Sequence, residues 1–96
     1  MRPRLRSAAE ADTAEAIRWY DEQKPGLGAR FLEALDSTLD SIEENPKLYP
    51  LVHQQMRRAL LPRPFPYMVL FRLEGEQASV YAVLHQARNP KLWKRR

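Results

Sequence analysis

Ninety-six residues with a formal net charge of +4, no cysteine and two separated histidines make one small core. They exclude a disulfide framework and a thiolate metal site, leave little for a transition-metal site, and give no reason to expect a cofactor. Met1 to Arg6 runs into alanine and acids rather than an apolar stretch, which is no secretory signal, and no window approaches the ~18 apolar residues of a membrane span. The expectation is a soluble cytoplasmic protein with no membrane contact, one domain over residues 1–96.

The charge is unevenly spread. Residues 1–6 carry three arginines, residues 7–45 carry ten acids against three bases, and residues 46–96 carry ten bases against two acids. That split points the C-terminal half at an anionic partner.

Arg2 to Arg6 reads as a short strand anchored by Leu5, and Pro3, which has no amide to donate, places it at a sheet edge. Ser7-Ala8-Ala9-Glu10 has the spacing of a capping box. The helix it opens runs to Gln23, with Ala9, Thr13, Ala16, Ile17 and Tyr20 on one stripe. Lys24-Pro25-Gly26 interrupts it, because Pro25 disfavours helical geometry at Lys24. A second helix, Leu27 to Glu44, repeats Leu27, Phe31, Ala34, Leu35, Thr38, Leu39 and Ile42 at helical spacing, with Leu32 widening the stripe. Asn45-Pro46 stops it, and the short link between the helices predicts an antiparallel α-hairpin.

Residues 46–56 read as a loop, with Tyr49 and Leu51 tucked under the helices and His53 in solvent. Arg57 to Leu61 reads as a strand leading into Pro62-Arg63-Pro64-Phe65-Pro66, whose prolines cannot donate to a ladder, so pairing resumes at Tyr67. Tyr67–Leu73 and Ala78–His85 then form a β-hairpin around Glu74-Gly75-Glu76-Gln77. Alternation puts Tyr67, Val69, Phe71 and Leu73 on one face, and Met68, Leu70 and Arg72 on the other. In the last strand it groups Val80, Ala82 and Leu84 against Tyr81, Val83 and His85. A basic tail closes the chain, with one helical turn begun at Pro90. The predicted fold class is α+β: an N-terminal edge strand and an antiparallel α-hairpin packed on an antiparallel sheet of three to four strands.

In this order the chain resembles the RelE/ParE toxin superfamily of bacterial toxin–antitoxin systems, and most of all its ParE-like, plasmid-stabilisation branch. The resemblance rests on Ala11-Asp12, Trp19-Tyr20, Pro25-Gly26-Leu27-Gly28 with Phe31, Asn45-Pro46, Tyr49-Pro50 and Arg57-Arg58. It continues through Phe65-Pro66-Tyr67, Ala82-Val83-Leu84-His85, Arg88, Pro90 and Trp93, and so covers nearly the whole chain. It implies a small basic toxin held inactive by an antitoxin, ParD-like or similar, whose C-terminal segment wraps over it. ParE-like members act on DNA gyrase without covalent chemistry, whereas RelE-like members cleave messenger RNA on the ribosome.

RNA cleavage requires a base for the 2′-hydroxyl, cations around the phosphate and an acid for the leaving group. His85, Arg88, Arg72 and Arg63 are the candidates for those roles. Where RelE-like nucleases carry an arginine after the Pro-Tyr pair, this sequence has Met68, which weighs against catalysis. The favoured reading assigns no catalytic residues and a target-binding basic patch of Arg57, Arg58, Arg63, Arg88, Lys91, Trp93, Lys94, Arg95 and Arg96. That patch is directed at gyrase, with nucleic-acid contact as a further use of the same cations.

Overall fold

The pairing of the first strand sets the layout. In the computed structural model, which describes residues 1–88, β1 (Arg4–Leu5) lies at one edge, parallel to β5 (Gln77–His85). Across the sheet follow β4 (Tyr67–Glu74), β3 (Met56–Leu60) and β2 (Leu51–His53), each antiparallel to its neighbour. Between β1 and β2 the chain forms α1 (Ser7–Gln23), α2 (Leu27–Glu44) and a single 3₁₀ turn, Pro46–Leu48. Among the described residues no helix is long and apolar enough to cross a membrane.

The sheet is therefore five-stranded and mixed, not antiparallel with three to four strands. The parallel pair arises because the helical layer separates β1 from the meander that brings β5 back beside it. The extra strand lies inside the stretch read as a loop: Leu51 pairs with Arg57 and His53 with Met56, with Gln54 in the left-handed region at φ 51°. Three residues are too few for a visible period, and His53 is half-buried at the strand end rather than in solvent.

The capping box does not form. Arg6 occupies the N-cap position, and its amide donates to the Val80 carbonyl (3.0 Å), continuing the β1–β5 ladder into the helix start. Glu10 thus has no free N-cap amide to reach back to. The α1 stripe itself buries Ala9, Thr13, Ala16 and Tyr20. On α2, Phe31, Leu35, Thr38, Leu39 and Ile42 are buried, but Leu32 sits on the flank and is exposed.

Close approach between the helices depends on Gly28. A Cβ there would lie 2.6 Å from the Ile17 carbonyl oxygen and 2.8 Å from the Asp21 carboxylate. That carboxylate accepts the Gly28 amide (2.8 Å), satisfying one of the orphan donors of the first turn of α2. Gly28→Ala is expected to force the hairpin apart at a cost of about 1–3 kcal/mol, measured as a lowered melting temperature. Asp21→Ala leaves the amide without its acceptor and is expected to cost about 1 kcal/mol.

Between the layers, Tyr20 stacks on Phe31 (centroids 5.5 Å apart), and Phe65 meets both edge-on, at 5.0 and 5.5 Å. Tyr49 packs edge-on against Phe71 at 5.8 Å, whereas Leu51 stays exposed instead of joining it. β5 departs from simple alternation. Leu70 opposes Ala82 and Phe71 opposes Val80, so Tyr81 is the extra residue of a β-bulge. Ala78, Val80 and Val83 consequently face the helices with Val69 and Phe71. Ala82 and Leu84 join Met68 and Leu70 in a second cluster on the opposite face.

Candidate interaction site

The structure separates the predicted cations. Arg57 pairs with Phe71 on the helix-facing side of β3. Its Nη1 donates to the carbonyls of Tyr49 (2.6 Å) and Lys47 (3.4 Å), stapling the chain segment before β2. Arg58 pairs with Leu70 on the opposite face and is exposed, as is Arg63 in the β3–β4 connection. Lys91, Trp93, Lys94, Arg95 and Arg96, and the helical turn expected at Pro90, lie outside the described residues.

Arg72 belongs to a separate cluster around Glu74. Its Nε lies 3.8 Å from the Glu74 carboxylate and its guanidinium 6.0 Å from the Tyr81 ring centroid. Arg6 stands over the same ring at 4.7 Å and 3.7 Å from Glu74. The Tyr81 hydroxyl donates to Glu74, and this hydrogen bond, aided by the two arginines, holds the carboxyl below its ordinary range. A lowered folded-state pKa adds stability above the unfolded value and loses it as pH falls through the folded one. Tyr81→Phe is accordingly expected to reduce the acid sensitivity of the melting temperature over that window.

His85 and Arg88 come together at a different place, a cleft of about 380 Å³ between α1 and the adjoining ends of β4 and β5. Trp19 forms one wall. It is 52% exposed, although its ring meets Tyr20 edge-on at 5.0 Å. Tyr67 and His85, cross-strand partners with ring centroids 5.4 Å apart, form the other wall. Burial raises the Tyr67 pKa, the charge of Glu15 raises it further, and Arg88 opposes the shift. The phenol is therefore a neutral donor at physiological pH.

Two groups in the cleft are held by the local backbone. β1 ends at Leu5, so further along β5 it offers no carbonyl, and Asp12 of α1 supplies the acceptor instead, taking the Val83 amide at 3.1 Å. The turn after β5 folds the Ala87 amide onto His85 Nδ1 (3.0 Å) and the Arg88 amide onto the His85 carbonyl (2.9 Å). With Nδ1 accepting, the ring N–H lies on Nε2, where it can donate. The cleft thus combines an aromatic wall, an arginine and an imidazole N–H, with Glu15 also lining it.

Neither Arg63 nor Arg72 lines this cleft, and Trp19, Tyr67 and Glu15 were not among the predicted site residues, although Trp19 and Tyr67 belong to segments that carry the family resemblance. The available signal was Trp19, a large aromatic outside the Ala9–Thr13–Ala16–Tyr20 stripe of a helix whose buried face is already complete.

Across residues 4–90 the chain matches the family model for the ParE toxin of type II toxin–antitoxin system, parDE. The chain belongs to the ParE toxin family. A solved structure, "Chromosomal ParDE TA system from P. aeruginosa", shares the fold with a TM-score of 0.77, covering 88% of this chain and 95% of that one at 16% identity. No curated protein matches the chain. Within this ParE-family chain, the Trp19-Tyr20 and Phe65-Pro66-Tyr67 segments that suggested the superfamily meet at the cleft and the aromatic core beside it.

Proposed function

We propose that this ParE-family chain acts in the cytoplasm as a toxin that stops growth by gripping a DNA topoisomerase, gyrase first, without breaking covalent bonds. A ParD-like antitoxin neutralises it by covering the same contact surface. The observation that carries this reading is the cleft, where a half-exposed indole stands near a cation and a hydrogen-bond donor. Exposed aromatics beside arginine are the residue types that dominate protein–protein affinity. Arg88 and the exposed Arg58 also suit contact with DNA held by the target.

Two of the groups a nuclease would use have other partners: His85 Nδ1 accepts from the Ala87 amide, and Arg72 neighbours Glu74. Met68, where RelE-like nucleases carry an arginine, is buried among Leu70, Ala82 and Leu84. Producing the chain alone in growing cells is expected to halt division and induce the DNA-damage response while bulk protein synthesis continues. Early arrest of translation with cleaved transcripts would identify it instead as a RelE-like mRNA endoribonuclease.

A further inference from the structure

The polar groups of the cleft divide by wall. On α1, Glu15 lies one turn before Trp19, so a carboxylate and the half-exposed indole share one side. On the strand side stand the Arg88 guanidinium and the ring of His85, whose N–H lies on Nε2 because Nδ1 accepts from the Ala87 amide. Asp12 is engaged by the Val83 amide. Glu15 and the Arg88 guanidinium make no hydrogen bond or ion pair among the described residues. Among those residues, no three acidic or histidine side chains gather to hold a metal ion. At about 380 Å³ the cleft is at the small end of ligand pockets, which span about 300–1,000 Å³.

We propose that this cleft binds the guanine base of a nucleotide, stacked on Trp19. Guanine is the base whose edges match both walls. Its N1–H and exocyclic amine are adjacent donors for the Glu15 carboxylate, while O6 and N7 accept from His85 Nε2 and Arg88. Adenine sets its N1 acceptor against the carboxylate, and a pyrimidine offers one donor group with an acceptor beside it. Stacking on the indole serves any base, so selectivity falls to Glu15. A duplex is excluded, because Watson–Crick pairing already uses the donors that Glu15 needs. An aromatic carboxylate suits Arg88 but is repelled by Glu15. The inference does not rest on gyrase as the target, since binding is read on the chain alone.

The test is nuclear magnetic resonance on the full, isotope-labelled chain, titrated with guanosine, inosine and adenosine monophosphates. Saturable shifts of the Trp19 indole N–H and of amides around Glu15 and Arg88 are expected with the guanine nucleotide. Binding of the adenine nucleotide should be about tenfold or more weaker. Inosine monophosphate, which lacks the exocyclic amine, should fall between them. Glu15→Gln should erase the preference for guanine while the shifts persist, and Trp19→Ala should remove binding of all three. Melting temperature controls for folding in both variants. Absence of saturable shifts overturns the proposal, as does equal binding of guanine and adenine, or a Glu15→Gln variant that keeps the preference. A thymidine oligonucleotide carrying one guanine separates the two sources of the base. Binding tenfold tighter than the mononucleotide places the guanine in a single strand, and equal or weaker binding makes the ligand a free nucleotide. Binding that persists when that guanine is replaced by thymine overturns guanine recognition. Growth arrest tests the gyrase reading separately, so either can fail without the other.

Discussion

Replacing Trp19 with alanine and Arg88 with glutamate together is expected to abolish growth arrest while leaving the fold intact. In the free chain the indole is half exposed and makes an edge contact with Tyr20, so its loss costs the fold about 1 kcal/mol. At a bound target the same ring would be desolvated from both sides. An aromatic or arginine anchor of that kind is worth about 2 kcal/mol or more, roughly thirtyfold in affinity for each side chain. The measurements are growth after induction, affinity for the target by calorimetry, and melting temperature as the control for folding. Trp19→Phe should restore part of the affinity, because the aromatic wall persists. Undiminished toxicity in the double variant would remove the cleft from the account.

Phe31→Ala is expected to unfold the protein or nearly so. The ring is fully buried and meets Tyr20, Phe65 and Tyr67 at 5.5, 5.5 and 5.0 Å, so it links α1, α2, β4 and the connection that precedes β4. Deleting it leaves a cavity where both layers touch, at a cost of about 3–5 kcal/mol. Domains of this class have about 5–15 kcal/mol in total. Urea unfolding should show a strongly lowered midpoint, and Phe31→Leu, which fills more of the space, should lose less. The cleft would suffer with the core, because Tyr20 and Tyr67 both line it and both pack on Phe31.

The parts of this structure that sequence displays are those with a long period. α2 shows itself over five turns through Phe31, Leu35, Leu39 and Ile42, and it forms where the spacing puts it. The face of β4 that carries Val69 and Phe71 is likewise legible, because eight residues give four alternations. β5 is harder to read. Its residues are apolar on both sides, so the extra residue at Tyr81 breaks no visible pattern even though it reverses which side chains face the helices.

Functional groups depend on contacts that no local pattern specifies. Arg57 and Arg58 are adjacent and chemically identical, yet the pleat sends one to the Tyr49 carbonyl and the other to the opposite face. The tautomer of His85 is set by where the Ala87 amide falls after the strand ends. Asp12 carries part of the family resemblance, but nothing local says that its partner is the Val83 amide, which needs an acceptor because β1 stops short. In each case the residue type was available beforehand, and the partner came from tertiary structure.

Whether this chain works by contact or by cleavage is decided by one paired assay on the purified protein. It is added to gyrase acting on plasmid DNA and, in parallel, to ribosomes translating a labelled transcript. Stalled gyrase–DNA complexes beside an intact transcript are the predicted result, with stalling lost when Trp19 and Arg88 are both replaced. A transcript cut on the ribosome, with gyrase turning over normally, would contradict it.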